Sequence, residues 1–569
     1  MLLIKEQVIG LLKSAGVQNL VELSSPPKPE LGDLTFACFD LAKEQKNSPV
    51  EAAQNLQTKL AQMDLENWGV SKVVATGPYV NLFLSSGMIA KVSLSAIKRL
   101  KQKYGTNKNG ARKKVIVEYP SNNTHKELHV GHLRNICIGN TLVQLFSANG
   151  YQVVPINYLN DLGAHVAKCL WGIQKFHAGE VPPKGGEQKW LGQIYAEAAR
   201  YLEEHPDEKP AVYDVQTKLE AHDKSIWPLY QKTRQWSIKK FEEMFRELEL
   251  FHRHVFYEQD VKEAGQKVVD ELIAKKIATV GEGGAIIVDL TQYGLDIGLL
   301  RKSNGSGLYL TSDLALAVAK NKKYPDIFES VHLVGSEQNF YFKQLFKILE
   351  LAGYSYRMKH IGYGLVSLAS GKMSSRTGNV VLYEDVRDEV YKKIYDETKE
   401  RHADWSNKTV AMTALKLTLA AIKFEFLKHE AEKTMMFDAK AATSFDGFTG
   451  PYVLYAVARI NSLVRKSKLK SIDLTSCDLL VEQEEKNLIM LLGQFDEVII
   501  KAMANYNPST IVKYAFDLAK GFNDFYNKHS VLSADNAGLI TARVSLSMAT
   551  KQVLENALHL LTIDTVAEM

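Results

Sequence analysis

The sequence predicts an α/β protein built on a doubly wound parallel sheet, with an α+β unit before it and an all-α unit after it. Three observations carry that prediction. KVIVEYP, ending in Pro120, is a run of β-branched residues suited to a strand buried on both faces. It leads through polar SNNTHKE into a helical stretch closed by Asn149-Gly150, and YQVVPINYL then returns as a strand. From about residue 385 onward nearly every segment repeats with the helical period.

Taken in order, residues 1–88 form a first, α+β unit. A helix near Ile4–Lys13 precedes the Pro-rich SSPPKPE and a turn at Gly32. LTFACFDLAKEQ and EAAQNLQTKLAQ both read with helical periodicity. SKVVATGPYVNLFLS gives two short β-rich runs split by Gly77-Pro78. Residues 89–112, which take in all but the last two residues of the basic KQKYGTNKNGARKK, read as a linker. Residues 113–384 carry the Rossmann-type sheet, interrupted around 172–260 by a polar, mostly helical insertion. Strands return at AIIVDL, GLYL and VHLVG, with helices at SDLALAVAK and NFYFKQLFKILELAG. Residues 385–569 make the α-helical unit.

At 569 residues the chain is long enough for about three or four domains and needs no disulfide or metal staple. Cys38, Cys137, Cys169 and Cys477 form no CxxC pair and have no histidine at zinc-ligand spacing, so neither zinc nor a disulfide scaffold is expected. That usage suits a reducing cytoplasm. Lys5 and Glu6 interrupt the first apolar residues, which excludes a signal-peptide core, and no apolar run reaches membrane-span length. The net charge of +5 permits a polyanionic partner without requiring one. The basic residues from Lys98 to Lys114, and those from Arg459 to Lys470, are either solvated faces or surfaces that track phosphates.

Chemistry gathers at two places. His129-Val130-Gly131-His132 stands where the first strand turns into a helix, and backbone N–H groups and the positive helix end there favour phosphate. His129 and His132 share one helical face and could donate to phosphate oxygens, or be two internally satisfied histidines. Gly131 removes a side chain that would keep an adenine off the backbone. Lys372-Met373-Ser374-Ser375-Arg376 lies in the small, polar ASGKMSSRTGN, where a lysine could stabilise charge on leaving pyrophosphate.

HVGH after the first strand, and KMSSR about 240 residues later, resemble the signature pair of class I aminoacyl-tRNA synthetases. EYPSNNTHKELHVGHLRN, YLTSDLALA, TGPYVLYAVARI and FNDFYNKHSVL resemble arginyl-tRNA synthetases over essentially the whole chain, as do ELGDLTFACFDLAK and GPYVNLFL. The resemblance implies ATP bound by His129, Gly131, His132 and Lys372 to Arg376, with Mg²⁺ accompanying the nucleotide. It implies that Lys126 offsets the missing second lysine of the KMSKS pattern, where this chain has Ser375. It places arginine among Glu118, Asn123, Tyr309, Asp313 and Gln338, with Glu337 an alternative to Gln338. Carboxylates suit a guanidinium, whose fork pairs with them bidentately. Tyr341 stands where many relatives have histidine, and Leu162 replaces a frequent tryptophan.

The implied reaction has two steps. The arginine carboxylate attacks the ATP α-phosphate to give arginyl-adenylate and pyrophosphate. A ribose hydroxyl of tRNA(Arg) then takes the arginyl group. Tyr79 and Asn81 are implied contacts to the tRNA elbow, and Tyr452 and Arg459 to the anticodon arm. Activation is implied to require bound tRNA. A cytoplasmic monomer without membrane contact is expected. Another class I synthetase, a small-molecule nucleotidyltransferase and a non-catalytic paralogue are the rivals. Glu118 with Asp313, the size of the helical region, and the presence of His129, His132 and Lys372 argue against each in turn.

Overall fold

The structure, a computed structural model, describes residues 1–18, 21–303, 308–368 and 381–569. It divides into two compact units. One comprises Met1–Asn107, Ser444–Ala504 and Thr510–Met569; the other comprises Lys108–Thr443 and Asn505–Ser509.

The second unit holds five parallel strands: β1 (Lys114–Glu118), β2 (Gln152–Leu159), β3 (His254–Tyr257), β4 (Ile327–Gly335) and β5 (Arg357–Tyr363). Their spatial order is β5-β4-β1-β2-β3. The order reverses between β1 and β4, which is the switch point where doubly wound sheets open a crevice at their C-terminal edge. Glu118, the last residue of β1, lies there beside His332 of β4 and Ile156 of β2. Val115, Ile116 and Val117 are fully buried, as a central strand covered on both faces requires. Helices α1 (Val130–Ala148), α2 (Tyr309–Lys323) and α3 (Asn339–Leu351) follow the strands. One core contains Ile116 and Ile156 of the sheet with Leu314, Leu345 and Ile348 of α2 and α3.

The insertion has its own core. Leu191, Ile194, Ala198 and Leu202 recur at helical spacing on Glu187–Glu204 and pack with Leu170, Leu219 and Tyr230.

Three readings of this unit change. AIIVDL supplies Ile286–Val288 to a separate antiparallel sheet with Thr279–Val280 and Gly298–Arg301. GLYL is not a strand: Tyr309 opens α2, whose Leu310, Leu314 and Ala317 join the core. Helices Tyr383–Arg401 and Asn407–Leu427 belong here and not to the C-terminal unit, because helical period does not reveal which core a helix packs against.

In the first unit a four-stranded antiparallel sheet runs Leu23–Ser24, Leu34–Ala37, Tyr79–Leu84, Val70–Thr76. LTFA is thus a strand, and helix starts only at Phe39. The stretch read as a linker begins inside a helix, Ser86–Leu100, with Ile89, Ala90, Leu94 and Ile97 buried on one face. Lys98 and Arg99 crowd its last turn and masked that stripe. The N-terminal segment and the C-terminal helices are one body. Lys486 pairs with Asp33 at 2.8 Å, Tyr104 donates to the Leu492 carbonyl at 2.9 Å, and Asn556 donates to the Lys101 carbonyl at 2.9 Å. Among the described residues no helix is long and apolar enough to cross a membrane.

Candidate active site

His129 is the N-cap of α1. Its Nδ1 accepts from the Gly131 N–H at 3.1 Å, and its own N–H donates to Nδ1 of His132 at 3.3 Å. The rings lie 3.9 Å apart. A backbone N–H can only donate, so each Nδ1 is proton-free and each neutral ring carries its hydrogen on Nε2. Burial, reinforced by Lys126, pushes His129 down to about 4; burial also holds His132 well below the usual histidine range. The pair is two fixed neutral donors. A Cβ at Gly131 would stand 2.8 Å from the His129 ring, so the glycine leaves room for that histidine.

The segment that follows the second motif runs against the first. Val130 N–H donates to the Val381 carbonyl at 3.1 Å and Tyr383 N–H to the Leu128 carbonyl at 2.9 Å, with His129 bridged to Leu382 between them. Buried Arg134, one turn further along α1, donates to the Gly364 carbonyl at 2.7 Å and to that of Glu430 at 3.1 Å. The chain is thus fastened to α1 on both sides of the second motif. Lys372, Met373, Ser374, Ser375 and Arg376 themselves lie outside the described residues. Lys126 places its ammonium 4.6 Å from the Tyr195 ring, and Lys168 reaches the same ring at 5.4 Å. Gln188 of the insertion holds the Lys126 carbonyl at 2.6 Å.

Carboxylates collect across the sheet edge. Glu118 is paired within the protein: Lys320 donates to its Oε2 at 2.8 Å and His332 lies 3.6 Å from the same oxygen, all three buried. Burial alone would raise Glu118, but those neighbours hold it well below the usual carboxylate range. Both neighbours lie against the same carboxylate oxygen, Oε2. Asp313, on the first turns of α2, is different. Burial pushes it up to about 7, with nearby Glu118 adding to the rise while Tyr341, which donates to its Oδ2, opposes it. Glu258, the first residue after β3, is pushed up to about 8, first by burial and then by Asp161 and Asp313. Asp161 itself accepts from Arg234 at 2.7 Å.

The other expected residues divide. Asn123 bridges to Asn160 beyond the ends of β1 and β2. Gln338 caps α3 and is half-buried, while Glu337 is exposed with its carboxylate folded over Gly335. Tyr309 is 78% exposed and stands at the rim, so sharing a helical face with Asp313 does not bury it. Sequence reasoning missed Tyr158, Glu258, Lys320 and His332, and noted Tyr341 only as a departure from histidine. The strand-end rule could have found Tyr158 and Glu258, which stand at the C-terminal ends of β2 and β3. Lys320 lies two turns beyond Asp313 on α2.

In the other unit, Tyr79 is exposed and meets Phe39 edge to face at 5.9 Å. Asn81 is buried and donates to Thr76 at 3.3 Å, so it braces the hairpin and offers no surface contact as had been expected. Arg459 donates to Asn523 at 2.7 Å and lies over the rings of Tyr455 and Tyr526; Asn523 in turn donates to the Tyr452 hydroxyl at 3.0 Å.

Residues 93–439 match the catalytic domain of the class I (R) tRNA synthetases, residues 453–569 the DALR anticodon binding domain, and residues 3–84 the arginyl tRNA synthetase N-terminal domain. Arginine–tRNA ligase of Clostridium botulinum is 35% identical over 97% of this chain and 96% of its own length. The Clostridium beijerinckii enzyme is 34% identical over 98% and 97%. The solved arginyl-tRNA synthetase of Thermus thermophilus superposes with a TM-score of 0.81 at 25% identity, covering 100% of this chain and 99% of that one. The parallel sheet with its neutral histidine pair, the flanking N-terminal and helical regions, and these full-length likenesses agree, and the chain belongs to the arginyl-tRNA synthetases, the class I ligases that use ATP to charge tRNA(Arg) with arginine.

Proposed function

We propose a division of labour among the residues of that reaction. His129 and His132 hold ATP phosphate oxygens through their Nε2–H groups, and Lys126 adds positive charge beside them. Lys372, helped by Met373, Ser374, Ser375 and Arg376, receives the departing pyrophosphate. Asp313 takes the arginine guanidinium, with Tyr309 at the rim and Asn123 and Gln338 at the α-amino and carboxylate end. Glu118 contributes through its pair with Lys320, by shaping the floor of the pocket. An arginine carboxylate oxygen bonds to the α-phosphorus as the bond to pyrophosphate breaks. A tRNA ribose hydroxyl then attacks the arginyl carbonyl and AMP leaves. The rate comes from positioning and fixed dipoles, without a covalent enzyme intermediate.

The observation that carries this reading is the histidine pair, with both Nδ1 atoms occupied by backbone and both rings neutral. Mg²⁺ enters as the companion ion of ATP; no group of three metal-ligating side chains converges among the described residues, and no step is routed through it. Tyr79 stacks on an unpaired tRNA base, and the Tyr452–Arg459 cluster meets the anticodon arm. The protein works as a cytoplasmic monomer, where its tRNA is.

ATP–pyrophosphate exchange with a panel of amino acids, with and without tRNA(Arg), tests the reading. Exchange with arginine alone, and only when tRNA is present, is expected. Comparable exchange with citrulline, which keeps the shape but lacks the charge, would overturn the pocket assignment.

A further inference from the structure

Two tyrosines flank Asp313, and neither belongs to the set just described. Tyr341, on the first turn of α3, donates its hydroxyl to Oδ2 of Asp313. Its ring packs edge to face on Phe342 at 5.5 Å, which fixes the direction from which that hydrogen bond comes. Tyr158, one residue from the end of β2, is only 6% exposed. Its hydroxyl is buried and finds no hydrogen-bond partner among the described residues. The charged groups that act on it are Glu258, Asp313, Glu118 and Asp161, the carboxylates of the crevice. A buried hydroxyl without a partner is costly and is rarely left so unless something else completes it.

A guanidinium offers five N–H donors in one plane. A carboxylate face satisfies two of them. Lys320 and His332 both lie against Oε2 of Glu118, and Tyr341 holds Oδ2 of Asp313. The remaining carboxylate oxygens can take part of a guanidinium's donors, and a neutral acceptor beside them can take another.

We propose that Tyr158 and Tyr341 are specificity residues of the arginine pocket: Tyr341 is a positioning residue that fixes the Asp313 carboxylate, and the Tyr158 hydroxyl oxygen accepts a guanidinium N–H that the carboxylates leave over. The proposal rests on the assignment of Asp313 to the guanidinium. It also gives the histidine-to-tyrosine departure at position 341 a purpose. A phenol donates one hydrogen bond and stays neutral, so it orients Asp313 without supplying a cation that competes with arginine.

The test is ATP–pyrophosphate exchange with tRNA present, on wild type, Tyr158→Phe, Tyr341→Phe and Tyr341→His. Each Phe variant removes one oxygen and keeps the ring. Tyr158→Phe is expected to raise the arginine KM about tenfold, the loss of one hydrogen bond to an ion, with kcat and the ATP KM unchanged. Tyr341→Phe is expected to raise it similarly. It should also move the acid limb of kcat/KM for arginine to higher pH, because an ionised Asp313 loses a donor. Lys320, Glu118, Tyr158, Tyr341 and Glu258 are the titratable groups facing Asp313, and only the Tyr341 change is expected to shift that limb upward. Tyr341→His keeps an N–H donor and should restore the wild-type KM at pH 8, where the imidazole is neutral; this variant decides the role if Tyr341→Phe fails to fold. An arginine KM within twofold of wild type for both Phe variants overturns the proposal. If Asp313→Asn is also silent, the pocket assignment has failed; if Asp313→Asn is strongly impaired while the tyrosine variants are silent, only the tyrosines have been misjudged.

Discussion

On the α1 side of the crevice, burial strips the charge from His129 and His132 and leaves two neutral N–H donors. Across the sheet edge, the same burial makes Asp313 and Glu258 hold their protons near neutral pH. One physical effect, burial, thus gives the two walls opposite hydrogen-bonding character, which suits the opposite ligands proposed for them. The donors of the first wall are ready before ATP arrives, because backbone N–H groups fix their tautomer. The acids of the second wall are only partly ionised near neutral pH, and an arriving cation would favour their anions. Nucleotide binding should therefore tolerate changes of pH that arginine binding does not.

The contrast is broken most severely at Asp313. Asp313→Asn is expected to raise the arginine KM by roughly 10²–10³-fold, since a desolvated cation left unpaired costs several kcal/mol. The ATP KM should stay within about twofold. Exchange kinetics with each substrate varied in turn measure both; an equal rise in the two KM values would mean that the walls are not separate.

A smaller effect, of about 10²-fold on kcat/KM for ATP, is expected for His129→Asn. Asparagine is a good N-cap, so α1 should keep its start and the melting temperature should hold while the Nε2–H donor is lost. Arginine KM unchanged, with ATP utilisation impaired, is the signature. A variant that merely melts earlier and uses ATP normally would reduce His129 to a capping residue.

The gentlest test is pH itself. Below about 6, Asp313 is largely protonated, and arginine bound against it must displace that one proton. The arginine kcat/KM should therefore fall about tenfold per pH unit on acidification below 7, while the ATP KM stays flat. The sign for folding is the reverse of the usual carboxylate case. Asp313 and Glu258 bind protons more tightly folded than unfolded. The empty protein therefore loses stability as pH rises from about 4 through their folded values, and the thermal stabilisation by arginine should grow over that interval. Stabilisation that is the same at pH 6 and pH 8 would contradict the proton coupling.

What the sequence disclosed about these walls follows the range of the interactions. HVGH was readable because strand, turn and histidine spacing lie within a few consecutive residues. The parallel sheet was readable from runs such as KVIVEYP. The Lys320 partner of Glu118 lies 202 residues away and leaves no local pattern. Tyr158 read simply as an apolar strand position, and its orphan hydroxyl exists only once the helices close around it. The helix Ser86–Leu100 was hidden by the charges on its last turn, and the inward side of the hairpin that buries Asn81 by the absence of any register information. Within residues 385–443 the helical reading fits Tyr383–Arg401 and Asn407–Leu427 but not the strand Met435–Phe437, and the stretch packs outside the C-terminal unit, because amphipathic period names a buried face without naming what buries it.

The union of the chain's first 107 residues with its last helices carries a consequence for synthesis. Lys101 and Tyr104 offer their carbonyls to Asn556, and Asp33 waits for Lys486. The early segment is translated hundreds of residues before those partners exist. Its sheet can form on emergence, but the face that Tyr104 and Ile97 present cannot be covered until translation is nearly complete. Through that interval the nascent chain carries an uncapped apolar surface, and the order of manufacture makes the last helix the one that closes the unit begun first.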